Sequence, residues 1–97
     1  MKETDLMRQI QIRASELGHR LWRNNIGFCH NPKMTFGLCP GSADLIGLTK
    51  DGQFLAIEVK SPRGKPSQEQ LDFATTVRRL GGIAIICRSV KAFEELF

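Results

Sequence analysis

Glu58 and Lys60 stand two residues apart in Phe54-Leu55-Ala56-Ile57-Glu58-Val59-Lys60, a segment whose alternation reads as a β-strand. Successive strand side chains point to opposite faces, so Leu55, Ile57 and Val59 share one face while Glu58 and Lys60 share the other. Ala43 to Leu48 also reads as a strand, and the intervening Thr49-Lys50-Asp51-Gly52-Gln53 carries a glycine suited to a left-handed turn position. With Lys50-Asp51-Gly52 as a three-residue loop, Thr49 faces Gln53, and counting back places Asp44 opposite Glu58. Opposed carboxylates with Cβ atoms roughly 5 Å apart repel unless a cation sits between them or one is protonated. A hard divalent ion, Mg²⁺ or Mn²⁺, resolves the conflict, and such an ion accepts phosphate oxygens at its remaining positions. Lys60, one pleat beyond Glu58, could orient or help deprotonate a bound water, or balance charge on a pentavalent phosphate. Acid, acid and lysine at this spacing suit phosphodiester hydrolysis.

A bare Glu-x-Lys carries no such meaning, because an exposed ion pair on a solvated sheet face explains it equally well. The surrounding elements give it weight. Leu6, Ile10, Ala14 and Leu17 recur at helical spacing and Gly18 stops that helix. Leu21 to Asn24 reads as a short strand. Asn25 to Ser42, with Asn, Gly and Pro at short intervals, reads as a long surface loop or irregular hairpin. Ser67 followed three residues later by Gln70 is a capping box, and Leu71, Ala74, Val77 and Leu80 are the predicted buried stripe of the helix that it opens, with Gly81-Gly82 as its end. Ile83 to Cys87 reads as a central strand covered on both faces and parallel to one already in the sheet. Ser89 caps a short final helix. The predicted order is α-β-β-β-α-β-α.

At 97 residues with 41% apolar content, the chain suits one compact unit over residues 1–97. Its longest apolar run, Ile83 to Cys87, is too short to cross a bilayer, and Met1 to Asp5 lacks the basic and apolar regions of a signal peptide. Cys29, Cys39 and Cys87 form an odd, irregularly spaced set, which argues for a reducing compartment and a cytoplasmic location. The net charge of +4 favours a polyanionic partner without requiring one.

Gly41-Ser42-Ala43-Asp44-Leu45-Ile46, Ile57-Glu58-Val59-Lys60 and Ser67-Gln68-Glu69-Gln70 together resemble the virus-type replication-repair nuclease domain, VRR-NUC, of the PD-(D/E)xK superfamily. The resemblance implies an α/β fold with a restriction-endonuclease-like core of order α-β-β-β-α-β, a mixed sheet flanked by helices, here with a short C-terminal helix. It also implies that Asp44 and Glu58 bind Mg²⁺ or Mn²⁺, that Lys60 is the catalytic lysine and that Gln70 reaches the site from its helix. Glu3 resembles the family's N-terminal acid and is a candidate third metal ligand, although an acid beside a helix N-terminus needs no further role. Ser42-Ala43 stands where many members carry proline before the aspartate. Family members consisting of this domain alone resemble small viral and prophage proteins, which points to branched DNA, with a homodimer cutting a four-way (Holliday) junction symmetrically. A flap or duplex nuclease is the alternative within the family. A structure-specific DNA-binding protein that does not cut is the rival from another class, and a repulsive acid pair facing phosphate speaks against it.

Arg20, Arg23, Asn24, Asn25, His30 and Lys33 concentrate between the first helix and the β-hairpin, a mixture that suits phosphates and bases. Trp22 and Phe28 among them are expected to be buried. Ser61, Arg63 and Lys65, just beyond the catalytic strand, are candidate DNA contacts, whereas Arg78 and Arg79 are assigned to the outer face of their helix. Cys29, His30 and Cys39 lack a Cys-x-x-Cys pair and offer three local ligands, which argues against structural zinc. Cys87 reads as a small core residue.

Overall fold

A computed structural model describes residues 1–97. Leu6, Met7, Ile10 and Ala14 form the buried stripe of helix α1 (Glu3–Glu16), with Glu3 and Asp5 in the first turn, where free backbone N–H groups favour negative charge. Strand β1 (Arg20–Arg23) follows and pairs antiparallel with β4 (Leu45–Leu48), which pairs antiparallel with β5 (Phe54–Val59). The turn between β4 and β5 is the three-residue type. Thr49 N–H donates to the Gln53 carbonyl at 2.9 Å, and Gly52, at a φ of 85°, takes the left-handed position that a side chain would strain. Leu48 pairs with Phe54 and Leu45 with Ile57, so continuing the register by one residue sets Asp44 against Glu58.

Helix α2 (Gln68–Arg79) crosses back to β6 (Ile83–Cys87), which runs parallel to β5, and α3 (Val90–Glu94) closes the described elements. The four-stranded mixed sheet has the order β1-β4-β5-β6. β6 is therefore an edge strand rather than the central one expected. Its single neighbour leaves Ile83, Ile85 and Ile86 half-buried, while Ala84 and Cys87 are fully covered.

Two layers cover the sheet. Leu55, Ile57 and Val59 pack with Leu45, Ile10 and Phe93 against α1 and α3. The opposite face carries small residues, Ala43, Ala56 and Ala84, which meet Ala74 and Val77 of α2. Small side chains on both sides bring α2 close to the sheet. Its predicted stripe needs correction, because Leu71 is exposed and Leu80 is 73% exposed, whereas Phe73 packs inward with Ala74 and Val77. At about 100° per residue, Leu71 and Leu80 lie half a turn apart and cannot share a buried face.

The segment after β1 is more regular than its composition suggests. β2 (Gly27–His30) and β3 (Lys33–Phe36) form a separate two-stranded antiparallel sheet turning at Asn31-Pro32. This hairpin is inserted within the predicted order and leaves the remaining α-β-β-β-α-β-α sequence intact. Every β3 residue is exposed, so no amphipathic alternation marks it.

Candidate active site

Asp44 and Glu58 sit where β4 and β5 begin to part. The Asp44 carboxylate accepts from the Val59 N–H at 3.0 Å, and Glu58 Oε1 accepts from the Asp44 N–H at 3.3 Å, so each acid caps the backbone beside the other. Glu58 is 5% exposed and Asp44 is half-buried. Burial first, and then the charge of Asp44, push the Glu58 carboxyl up to about 8, while the Lys60 ammonium pulls it down. The pair therefore holds a proton where no cation lies between the acids.

Gln70 comes from the first turn of α2. Ser67 Oγ accepts the Gln70 N–H at 3.1 Å, and the Ser67 N–H donates to Gln70 Oε1 at 2.8 Å. That bond fixes the amide orientation, leaving Nε2 to donate to Glu58 Oε2 at 2.8 Å. Gly41 lets the loop before Asp44 approach this turn. Its φ is 83°, and a Cβ there would lie 2.7 Å from the Glu69 carbonyl oxygen.

Lys60 is half-buried and its backbone N–H donates to the Cys87 carbonyl at 3.1 Å. Its ammonium forms no ion pair, since the two in the protein both involve Arg13. The next residue, Ser61, is gripped from three sides. Glu3 accepts its N–H at 3.0 Å, Arg88 donates to its carbonyl at 2.6 Å and to that of Gly64 at 2.7 Å, and its hydroxyl accepts the Gly64 N–H at 3.2 Å. Arg88 was not singled out from the sequence, because a lone arginine after a strand carries no local signal. Glu3 does not gather with Asp44 and Glu58 into a three-acid cluster. Its carboxylate fastens α1 to the residue after Lys60 instead.

Over residues 6–91 the sequence matches the VRR-NUC domain. The chain belongs to the VRR-NUC family. Membership makes it a nuclease domain of the PD-(D/E)xK type, and its mixed sheet with flanking helices agrees with that fold. No curated protein matches the chain.

The expected DNA-contacting residues of this VRR-NUC domain divide by accessibility. Arg23, Asn25, Lys33, Arg63 and Lys65 are exposed. Asn24 is not a surface contact, being 8% exposed with its side chain fully engaged. It donates to Ser42 Oγ at 2.7 Å and to the Ala43 carbonyl at 2.8 Å, and accepts the Leu38 N–H at 2.9 Å. Its own N–H donates to the Asp44 carbonyl at 2.7 Å, so Asn24 fastens the backbone that carries the acid. Ser61 is half-buried, and its hydroxyl oxygen accepts the Gly64 N–H within the turn. Trp22 and Phe28, expected inside, are 52% and 48% exposed. Arg78 and Arg79 are exposed, as expected, and the Arg78 guanidinium also donates to the Ala84 carbonyl at 2.8 Å. Cys29, His30 and Cys39 form no cluster able to hold a metal. Asn25, Ser42, Asp44, Ser67 and Gln70 line an open polar cleft of about 460 Å³ on the VRR-NUC surface. No helix is long and apolar enough to cross a membrane.

Proposed function

We propose that residues 1–97 act as one nuclease unit that hydrolyses DNA phosphodiester bonds with Mg²⁺ or Mn²⁺, acting on branched DNA as a homodimer. The observation that carries this reading is the Asp44–Glu58 pair: two hard oxygen donors held together at one end of the sheet, with burial and the charge of Asp44 both pushing the Glu58 carboxyl up. That donor set fits Mg²⁺ or Mn²⁺ and does not fit a soft ion. When bound, such an ion supplies Lewis acidity and lowers the pKa of water.

The chain's own residues supply the rest. Asp44 and Glu58 would hold the ion, each already anchored by a backbone N–H. Gln70 holds Glu58 in one orientation and lines the open cleft beside Asp44. The unpaired Lys60 ammonium is available to steady the attacking oxygen or a phosphate oxygen, and Ser61 is pinned so that Lys60 keeps its place. The open cleft beside Asp44, about 460 Å³, is the place proposed for the sugar-phosphate backbone.

The test uses end-labelled four-way junction, flap and linear duplex, each with Mg²⁺, Mn²⁺ or EDTA, with Glu58→Ala as the contamination control. Paired symmetric nicks confined to the junction are expected. Cutting of flap or duplex instead would change the substrate, and silence with either metal on all three would leave a binding protein.

A further inference from the structure

We infer that the β2–β3 hairpin is a wedge that enters the branch point of branched DNA and stacks its exposed rings on the base pairs bordering it. This rests on the reading of the domain as a nuclease of branched DNA.

The hairpin stands apart from the body. Its strands pair with each other and with no strand of the main sheet, and neither packs extensively on a helix. An isolated two-stranded hairpin is marginal in water, so apolar side chains left exposed on one go unexplained by folding. Here they lie on both faces. The register pairs Gly27 with Phe36 and Cys29 with Met34 on one face, and Phe28 with Thr35 and His30 with Lys33 on the other. Phe36 lies over Gly27, where a Cβ would collide with its ring, and is 48% exposed. Phe28 on the opposite face is equally exposed and meets the His30 ring edge-on with centroids 4.8 Å apart.

Charge selects the occupant. From Leu17 to Ala43 there is no Asp or Glu, while Arg20, Arg23 and Lys33 are cationic. Rings interleaved with such cations suit nucleic acid, where the bases stack and the phosphates pair. Apolar wedges of Phe and Met inserted at a base step are an established way for proteins to part stacked pairs. A second protein copy would cover one face of the hairpin, whereas a branch point presents a terminal base pair to each. The position also fits. Asn25, at the hairpin's root, lines the cleft that holds Asp44, and Asn24 ties Leu38, just beyond β3, to the Ser42 hydroxyl and to the carbonyls of Ala43 and Asp44.

The probe is a four-way junction carrying 2-aminopurine next to the branch point, with the same label inside a linear duplex as control, bound in EDTA so that no cutting is needed. Wild-type protein should raise the junction fluorescence several-fold and leave the duplex unchanged. The Phe28→Ala, Phe36→Ala double variant should lose that rise and bind the junction about tenfold more weakly. Phe28→Trp should keep the rise, which separates stacking from misfolding. An unchanged signal in the alanine variant, or a wild-type signal no larger on the junction than on the duplex, would overturn the wedge. So would conversion of a dimer to a monomer by the double variant in light scattering, which would give the hairpin to a second copy. Branch-point fluorescence in EDTA together with no cutting of the same junction once Mg²⁺ or Mn²⁺ replaces the EDTA would sink the nuclease reading alone.

Discussion

Gln70 donates its amide N–H to Glu58 across 2.8 Å, and the oxygen of the same amide is held by the Ser67 N–H. One side chain thereby closes the α2 capping box and orients the buried acid of β5. The helix cap rests on the Ser67 hydroxyl and the Glu58 contact on the Gln70 amide, so the two can be separated by mutation.

Ser67→Ala removes the hydroxyl that caps α2 and should cost about 1 kcal/mol of stability while leaving Gln70 able to reach Glu58. Gln70→Ala should reduce kcat about tenfold or more, because it removes a hydrogen bond to a charged group worth roughly 1.5–3 kcal/mol. Steady-state kinetics beside denaturant melts checks both. Equal loss of kcat in the two variants would mean that the cap rather than the Glu58 contact matters.

Glu58 binds its proton more tightly folded, up to about 8, than at the ordinary value of 4.5. Between those values the native state holds a proton that the unfolded chain has lost, so stability must fall as pH rises. In EDTA, the contribution is fully present below about 4.5 and lost as pH rises through about 8. Denaturant midpoints across this window should decline, and Glu58→Gln should flatten the decline. With Mn²⁺ at neutral pH, binding should release close to about one proton, seen by calorimetry in buffers of different ionisation enthalpy.

Asp44→Asn keeps an acceptor for the Val59 N–H and removes the charge facing Glu58. Above about pH 8 in EDTA, where both acids are charged, it should raise the melting temperature, and with metal it should abolish cleavage. Asp44→Ala, which leaves that N–H without its acceptor, should not share the gain. A lower melting temperature for the asparagine variant would contradict repulsion between the acids.

Asn24→Ala should cost about 2–3 kcal/mol, because it strips partners from Ser42 and from the Leu38 N–H within a buried network. Its effect on DNA affinity should not alter the salt dependence. Arg23→Ala should do the reverse, reducing the salt slope by about one with little change in stability. The two neighbours make a paired measurement: a smaller salt slope with intact stability for Asn24→Ala would return it to the surface.

The sequence was most legible where local chemistry dictated geometry. Gly52 required a left-handed residue, which set the turn, the turn set the register, and the register opposed Asp44 to Glu58. The Ser67–Gln70 box was readable for the same reason. Asn24 was misread because a polar residue among arginines resembles surface, and the partners that bury it lie 14 to 19 residues away. The β2–β3 hairpin was readable only as a long loop or irregular hairpin, because every residue of β3 is exposed and no face of it is turned toward a core. Leu71 and Leu80 misled because steps of three residues drift around a helix, and the residue that faces inward, Phe73, interrupts that spacing.

The alanine layer between α2 and the sheet has a consequence beyond packing. Ala43, Ala56, Ala74 and Ala84 act as a spacer whose thickness sets how far Gln70 stands from Glu58. Hydrogen bonds tolerate only a few tenths of an ångström, so these methyl groups, which line a small cavity together with Glu58 and Gln70, serve as the gauge of the site beside them. Sites on opposite faces of the same sheet then differ in latitude. Large side chains of different shape can replace one another on the face packed by Ile and Phe, whereas growth on the alanine face would push α2, and Gln70 with it, away from Glu58.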